Sequence, residues 1–378
     1  EFYCSKPCMK NYLQETEPLY FDLNSEILKI NASSECSIRT LDLDYALQVA
    51  GDHMPNLKAV DIYINQEYVE DLNNLGKSLL LSSTVLRQFL ERLSAQLVSF
   101  SFGLDDCCWD QIKGMTDQCR ALLPLGTMPN LKKLSLTTLG FDDVDTLASC
   151  LSPDLQVLNL SYVKMGTMLD WSNLEVDLLV GTLSGLKKLV SLSLNDIALA
   201  DEHLRSLLPH LKFIRCLNLE GRWGDGGDSP LTDLGLKAIA NHCPKLLSLS
   251  VNYQIKATVS GIMTILQKCP EMVQLEACRL NIGMQHLKLI LTASVNLLNF
   301  SFGQWGSPSI SNQHEKSVVQ NAVAATKGRV VICTMNGLFK VNLSPEHKRN
   351  QDSSMTKIER AHKQQRDPMV INNWDGIL

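Results

Sequence analysis

The residues able to do chemistry in this 378-residue chain are twelve cysteines, eight histidines and one acidic glycine-rich stretch. The cysteines stand at 4, 8, 36, 107, 108, 119, 150, 216, 243, 269, 278 and 333. None forms the Cys-x2-Cys pair that commonly folds around zinc. Cys4 and Cys8 come near that spacing but have no clear His partner to complete a ligand set. The histidines, at 53, 203, 210, 242, 286, 314, 347 and 362, are scattered, and no nucleophile, base and carboxylate cluster together as a catalytic triad would require. His242 precedes Cys243, but at the end of a helical segment where the cysteine reads as packing. The stretch 221–230, GRWGDGGDSP, lacks the Gly-Lys-Ser/Thr ending of a phosphate-binding loop. Asp225 and Asp228 could reach a calcium ion, although loop flexibility accounts for the same residues. The expectation is a chain without catalytic residues, bound metal or cofactor.

The elements that would position these residues come from an internal repeat. The pattern LxxLxLxx begins at Ile38, Leu57, Leu97, Leu131, Leu155, Leu189, Ile214, Leu246, Met272 and Leu297, with a weaker copy near 19–23. The spacing is roughly 24–34 residues with outliers near 19 and 40, a period that signals a solenoid. Alternation over each copy predicts a short strand, since successive side chains point to opposite sheet faces. Strands are expected at 40–44, 59–63, 99–103, 133–137, 157–161, 191–195, 216–220, 248–252, 274–278 and 299–303, all parallel. Between them, apolar residues at three-to-four spacing predict helices, as in 143–151, 201–208, 234–240 and 259–266. The fold class is therefore α/β: a leucine-rich-repeat solenoid, or horseshoe, with a parallel β-sheet on the concave face and helices on the convex face.

The phase of the repeat assigns side chains to the concave face. Its central row reads Asp42, Asp61, Ser101, Ser135, Asn159, Ser193, Asn218, Ser250, Glu276 and Ser301. The next row reads Asp44, Tyr63, Gly103, Thr137, Ser161, Asn195, Glu220, Asn252, Cys278 and Gly303. On this small, weakly acidic floor, the side chains able to anchor a partner are Tyr45, Tyr63, Tyr162, Tyr253 and Arg279, with the acidic Glu220 and Glu276. Trp223, in the glycine-rich insertion, and Trp374, in the apolar end of the chain, complete the candidate set. Trp109 and Trp171 read as core.

Residues 230–246, PLTDLGLKAIANHCPKL, and the Cys-Pro junction at Cys269-Pro270 resemble the cysteine-containing class of leucine-rich repeat, with its ITDxGLxxLAxxCPxL unit. Such repeats are typical of F-box/LRR proteins, the substrate receptors of SCF ubiquitin ligases. The strong motifs span about fifty residues, and other copies carry Met-Pro in place of Cys-Pro. No F-box is visible before the first repeat. The resemblance implies a protein–protein interaction scaffold, with the sheet face or the insertion rim holding protein partners. It also implies contact with a ligase adaptor through a missing N-terminal module. Two alternatives stay open: a structural repeat subunit of a large assembly, and a GTPase-activating or other regulatory repeat protein.

Bulk properties agree with this class. A net charge of −5 and a pI near 5.9 give no basic excess for gripping nucleic acid. No apolar run reaches the roughly 20 residues of a membrane helix. Unpaired, mostly buried thiols suit the cytoplasm or nucleus. Four segments are expected: an N-terminal cap or exit from an absent upstream module (1–37), the repeats (38–305), a C-terminal capping unit (306–340) and a polar tail (341–378). The tail's apolar end is expected to dock on the solenoid or a partner through Trp374.

Overall fold

A computed structural model describes residues 25–32, 43–64, 81–104, 116–165, 171–221, 231–280, 282–303, 313–327, 329–334, 337–338, 348–350, 352–354 and 356. The chain falls into two compact units, residues 1–182 and 183–378.

In the first unit, strands β1 (Ile27–Ala32), β2 (Ala59–Ile64), β3 (Ser99–Leu104) and β4 (Lys133–Thr137) are laid side by side in chain order. A short β5 (Gly140–Phe141) follows, then β6 (Val157–Asn159), which pairs with β4, and β7 (Lys164–Met165), which pairs with β5 in a separate two-stranded ribbon. All these pairings are parallel, with Asp61, Ser101, Ser135 and Asn159 in register. Helices α1 (Leu43–His53), α2 (Ser83–Arg92), α3 (Thr116–Ala121), α4 (Val144–Ser149) and α5 (Asn173–Leu183) connect the strands.

The second unit repeats the plan. Strands β8 (Ser191–Ser193), β9 (Cys216–Asn218), β10 (Ser248–Ser250), β11 (Gln274–Cys278), β12 (Asn299–Gly303) and β13 (Val331–Thr334) are parallel neighbours in chain order. β14 (Gly337–Leu338) turns back antiparallel on β13. The intervening helices are α6 (Asp201–Leu207), α7 (Asp233–His242), α8 (Val259–Lys268), α9 (Leu287–Ala293) and α10 (Gln313–Ala325). Each of these five helices packs on the next one along, which is the nearest-neighbour organisation of a solenoid. The architecture of both units is α/β, of leucine-rich-repeat type.

The core lies between strands and helices. Leu217, Leu249, Leu275 and Phe300 point inward from the sheet, and Leu236, Ile239, Ile262 and Ile265 meet them from the helices, all essentially inaccessible. Each such side chain withdrawn from water contributes roughly 1.5–3 kcal/mol. Trp171 is also core, its indole N–H donating to the Val163 carbonyl at 2.8 Å.

The register explains the conspicuous motif of the sequence. Thr232 and Thr258 are the N-caps of α7 and α8. Asp201, one repeat earlier, accepts from the Thr232 amide (2.9 Å), the Thr232 hydroxyl (2.6 Å) and the Gly235 amide (2.9 Å). Asp233 does the same for Thr258, at 2.7 and 2.6 Å. Gly235 and Gly261 leave room for these carboxylates: a Cβ would stand 2.5 Å from Asp201 Oδ1 in one case and 2.6 Å from Asp233 Oδ1 in the other. In the first unit, Asp44 likewise accepts from the amide of Ser82, the N-cap of α2. The Thr-Asp-x-Gly element thus caps its own helix and reaches forward to the next.

The cysteines of the Cys-Pro junctions are buried packing residues. Cys269 Sγ donates to the Cys243 carbonyl at 3.3 Å, and burial pushes both thiols up to about 12. Native protein at pH 8 is expected to label at these two positions at least about a hundredfold more slowly than unfolded protein. Equal rates would show that the thiols are open to solvent.

Two expectations are corrected. The segment beginning at Ile38 is not a strand at 40–44: Leu43 and Asp44 belong to α1, whose buried residues Leu43, Ala46, Leu47 and Ala50 have helical spacing. The strand pairing with β2 is β1, inside the segment expected to be a cap. The strands expected at 157–161, 191–195, 216–220 and 248–252 are also shorter by two residues. The chain bends there, although the pairing hydrogen bonds continue beyond the regular segments. Cys4 and Cys8, the weak copy at 19–23, Trp109 and the residues 222–230 lie outside the described residues.

Candidate protein-binding face

The face of each sheet turned away from the helices carries the short polar side chains expected of it. In the second unit the central row is Ser193, Asn218, Ser250, Glu276 and Ser301, in register across five strands. The asparagines act as internal splints. Asn218 Oδ1 accepts from the Glu220 amide at 3.2 Å, and Asn252 Oδ1 accepts from the Cys278 amide at 2.8 Å. Part of this polar floor is therefore structural, holding the strand ends where they bend.

At the bend the chain adopts one recurring conformation. Asp196, Tyr253 and Arg279 occupy equivalent positions, each with φ between 63° and 65°. Their amides donate to Glu220, Cys278 and Gly303 carbonyls at 3.0, 2.9 and 2.6 Å. Thr138 and Tyr162 of the first unit share this left-handed conformation. It costs a residue with a Cβ about 1–2 kcal/mol, and glycine far less. The bend gives each repeat one more hydrogen bond to its neighbour and sets a side chain beside the sheet face.

In the second unit these side chains gather with the two acidic floor residues. The Arg279 guanidinium lies 5.5 Å from the centre of the Tyr253 ring, a cation–π arrangement. Glu276 accepts from Gln274 Nε2 at 2.8 Å and from Asn252 Nδ2 at 3.3 Å. Glu220 is held above the usual carboxylate range, first by burial and then by the nearby carboxylates of Glu276 and Asp196, while hydrogen bonding to Asn252 works the other way. Burial also raises the Tyr253 phenol, reinforced by Glu220 and opposed by Arg279.

A carboxyl whose pKa is raised on folding stabilises the fold at low pH and loses that contribution as pH rises through the raised value. Glu220→Gln removes a charge that is desolvated and faced by like charges. The variant is expected to melt roughly 1–3 °C higher at pH 7. The gain should vanish towards acid pH, where Glu220 is itself protonated. A lower melting point at pH 7 would contradict this account of the site.

The sequence-derived candidates thus separate. Glu220, Tyr253, Glu276 and Arg279 come together. Tyr63 stands on the outer face of the first unit, 40% exposed, in register with Gly103. Tyr162 occupies the left-handed bend after β6. Tyr45 is a correction: it lies on α1, 51% exposed, and not on the sheet face, because its segment is helical. Trp223 and Trp374 lie outside the described residues. Asp196 was not among the candidates. Its place one residue beyond the second outward row was the available signal. Among the described residues, no group of three or more His, Cys, Asp or Glu is placed to hold a metal, and no helix is long and apolar enough to cross a membrane.

No family model and no curated protein matches the chain. Among solved structures it is similar to a chain of the Rad7 and Elc1 complex of yeast, at 13% identity over 70% of this chain and 69% of that one, with a TM-score of 0.46. It is also similar to the leucine-rich repeat-containing protein LegL7 of Legionella pneumophila, at 17% identity over 87% and 97%, with a TM-score of 0.46. The repeat architecture itself rests on the strand register and capping pattern described above.

Proposed function

We propose that this chain is a non-catalytic protein-interaction scaffold that binds a partner across the outer sheet face of its second unit. The observation supporting this most directly is the gathering of Tyr253, Arg279, Glu220 and Glu276 on a face that otherwise carries small polar side chains. Aromatic and arginine side chains supply most of the binding energy in protein interfaces, and they lie here beside a floor low enough for a partner to approach. The Thr-Asp-x-Gly and Cys-Pro elements, which resemble those of F-box/LRR proteins, support a more specific role: substrate recognition within an SCF-type ubiquitin ligase.

Photocross-linking residues placed at Asn218 and Ser301, on the sheet face, should capture one partner in cells. The same probes at Lys237 and Gln267, exposed on α7 and α8, should not. Capture only from the helices would overturn the binding-face reading. Depleting the chain should lengthen the lifetime of the captured partner. An unchanged lifetime would leave a scaffold and remove the ligase role.

A further inference from the structure

The fifteen outward positions of β8–β12 and the two residues after the shorter strands form three rows. These are Ser191, Cys216, Ser248, Gln274 and Asn299; then the central row; then Asn195, Glu220, Asn252, Cys278 and Gly303. They hold two carboxylates and no cationic side chain. At the bends beside them Asp196 adds a third carboxylate, and among the described bend residues the one guanidinium, Arg279, sits at the Tyr253 ring. Among the described residues this face is therefore negative.

A second feature of the same face is independent of charge. Asn299 neighbours Gln274 in register and is only 5% exposed, yet its Oδ1 has no hydrogen-bond partner. A buried acceptor left unmade costs about 1–3 kcal/mol, which a donor from outside would recover once the side chain turned outward to meet it. The face thus presents acceptors: the Asn299 carbonyl oxygen, which has no partner, and the carboxylates of Glu220 and Glu276, whose hydrogen bonds come from neutral amides. A partner must bring N–H donors, and positively charged ones by preference.

We infer that the occupant of this face is a basic extended segment of another protein, with a Lys or Arg side chain seated over Glu220 and Glu276 beside Tyr253. This rests on the binding-face reading above. A cation there would relieve the mutual repulsion of Glu220, Glu276 and Asp196, and its alkyl or guanidinium stem would lie near the Tyr253 ring, a surface that favours cations. The small side chains of Ser193, Asn218, Ser250 and Ser301 leave space along the central row for an extended chain. An acidic or wholly apolar segment would desolvate the carboxylates further without bringing a cation to offset their charge.

The test is selection of a displayed random twelve-residue peptide library on the full chain. The enriched peptides should share Lys or Arg positions. Their affinity should fall at least tenfold in the Glu220→Gln, Glu276→Gln double variant, and between 50 and 300 mM salt (about a Debye length of 14 to 6 Å). The melting temperature of the double variant, expected to be no lower than that of the parent, guards against loss of binding through misfolding. Enriched peptides without basic residues that still cross-link from Asn218 and Ser301 would overturn the basic-segment inference and leave the binding face standing. Peptides that bind the double variant as tightly as the parent, or failure to select any peptide, would also overturn it. Peptides cross-linking only from Lys237 and Gln267 would overturn both.

Discussion

Replacing Asp201 by Ala should destabilise the second unit by about 3 kcal/mol, and lower its melting temperature by roughly 6–12 °C. The carboxylate is 7% exposed and accepts three hydrogen bonds from the next repeat, two from amides in the first turn of α7. The Thr232 amide precedes the helix and has no acceptor within it, and the Gly235 amide shares the carboxylate with the Thr232 carbonyl at 3.1 Å, because the first turn of any helix leaves its N–H groups short of acceptors. With alanine, the Thr232 amide and hydroxyl lose their acceptor and the Gly235 amide keeps only the Thr232 carbonyl, in a site too tight for ready hydration. Hydrogen exchange at 232–236 should accelerate before the rest of the unit responds. Gly235→Ala should reproduce part of the effect by pushing the carboxylate away. A loss below about 1 kcal/mol for Asp201→Ala would mean that water replaces the carboxylate without penalty.

The second large effect is expected at Arg329. Its guanidinium donates to the carbonyls of Leu297, Ser294 (2.9 Å) and Leu291 (3.4 Å), gathering the C-terminal end of α9 and the turn into β12. Burial lowers its pKa, so the charge is held in place by these acceptors and not by solvent. Arg329→Met should cost about 2–3 kcal/mol in denaturant unfolding, since it leaves carbonyls unmet while roughly preserving the apolar stem. Arg329→Lys should recover only part of this: an ammonium is a compact point charge and lacks the guanidinium fork that bridges separated acceptors. A full recovery with lysine would show that charge alone is required.

Most of the strand positions were legible because the apolar residues of LxxLxL alternate with polar ones over a sheet open on one side. Phe100 and Phe102, Leu134 and Leu136, and Leu275 and Ala277 all turn inward as that phase requires. The reading failed where two periods overlap. Leu41-Asp42-Leu43 alternates like a strand, but Leu43, Ala46, Leu47 and Ala50 continue at helical spacing, and the longer stripe prevails. β1 was missed because Ser25 stands where the pattern has its first leucine, although Leu28 and Ile30 match Val60 and Ile62 of the next copy. Of the binding face, the rows were readable, since they follow from strand phase alone. Its concentration around Glu220 and Tyr253 was not, because the left-handed bend at Tyr253 and Arg279 carries no glycine to announce it. Nor does the sequence show that Asn252 spends its amide on Glu276 and the Cys278 backbone, and so stiffens the floor.

The forward reach of Asp201 to Thr232, and of Asp233 to Thr258, gives the second unit a polarity along its length. The starts of α7 and α8 are completed by carboxylates made earlier in synthesis. A nascent repeat emerging from the ribosome therefore meets its acceptor already in place, so the solenoid can lengthen one unit at a time in the order of translation. The opposite order would leave the amides of α7 and α8 waiting for carboxylates not yet arrived. Circular permutants that begin at residue 231 should accordingly fold more slowly than the native order, while reaching a stability lower only by the severed connection.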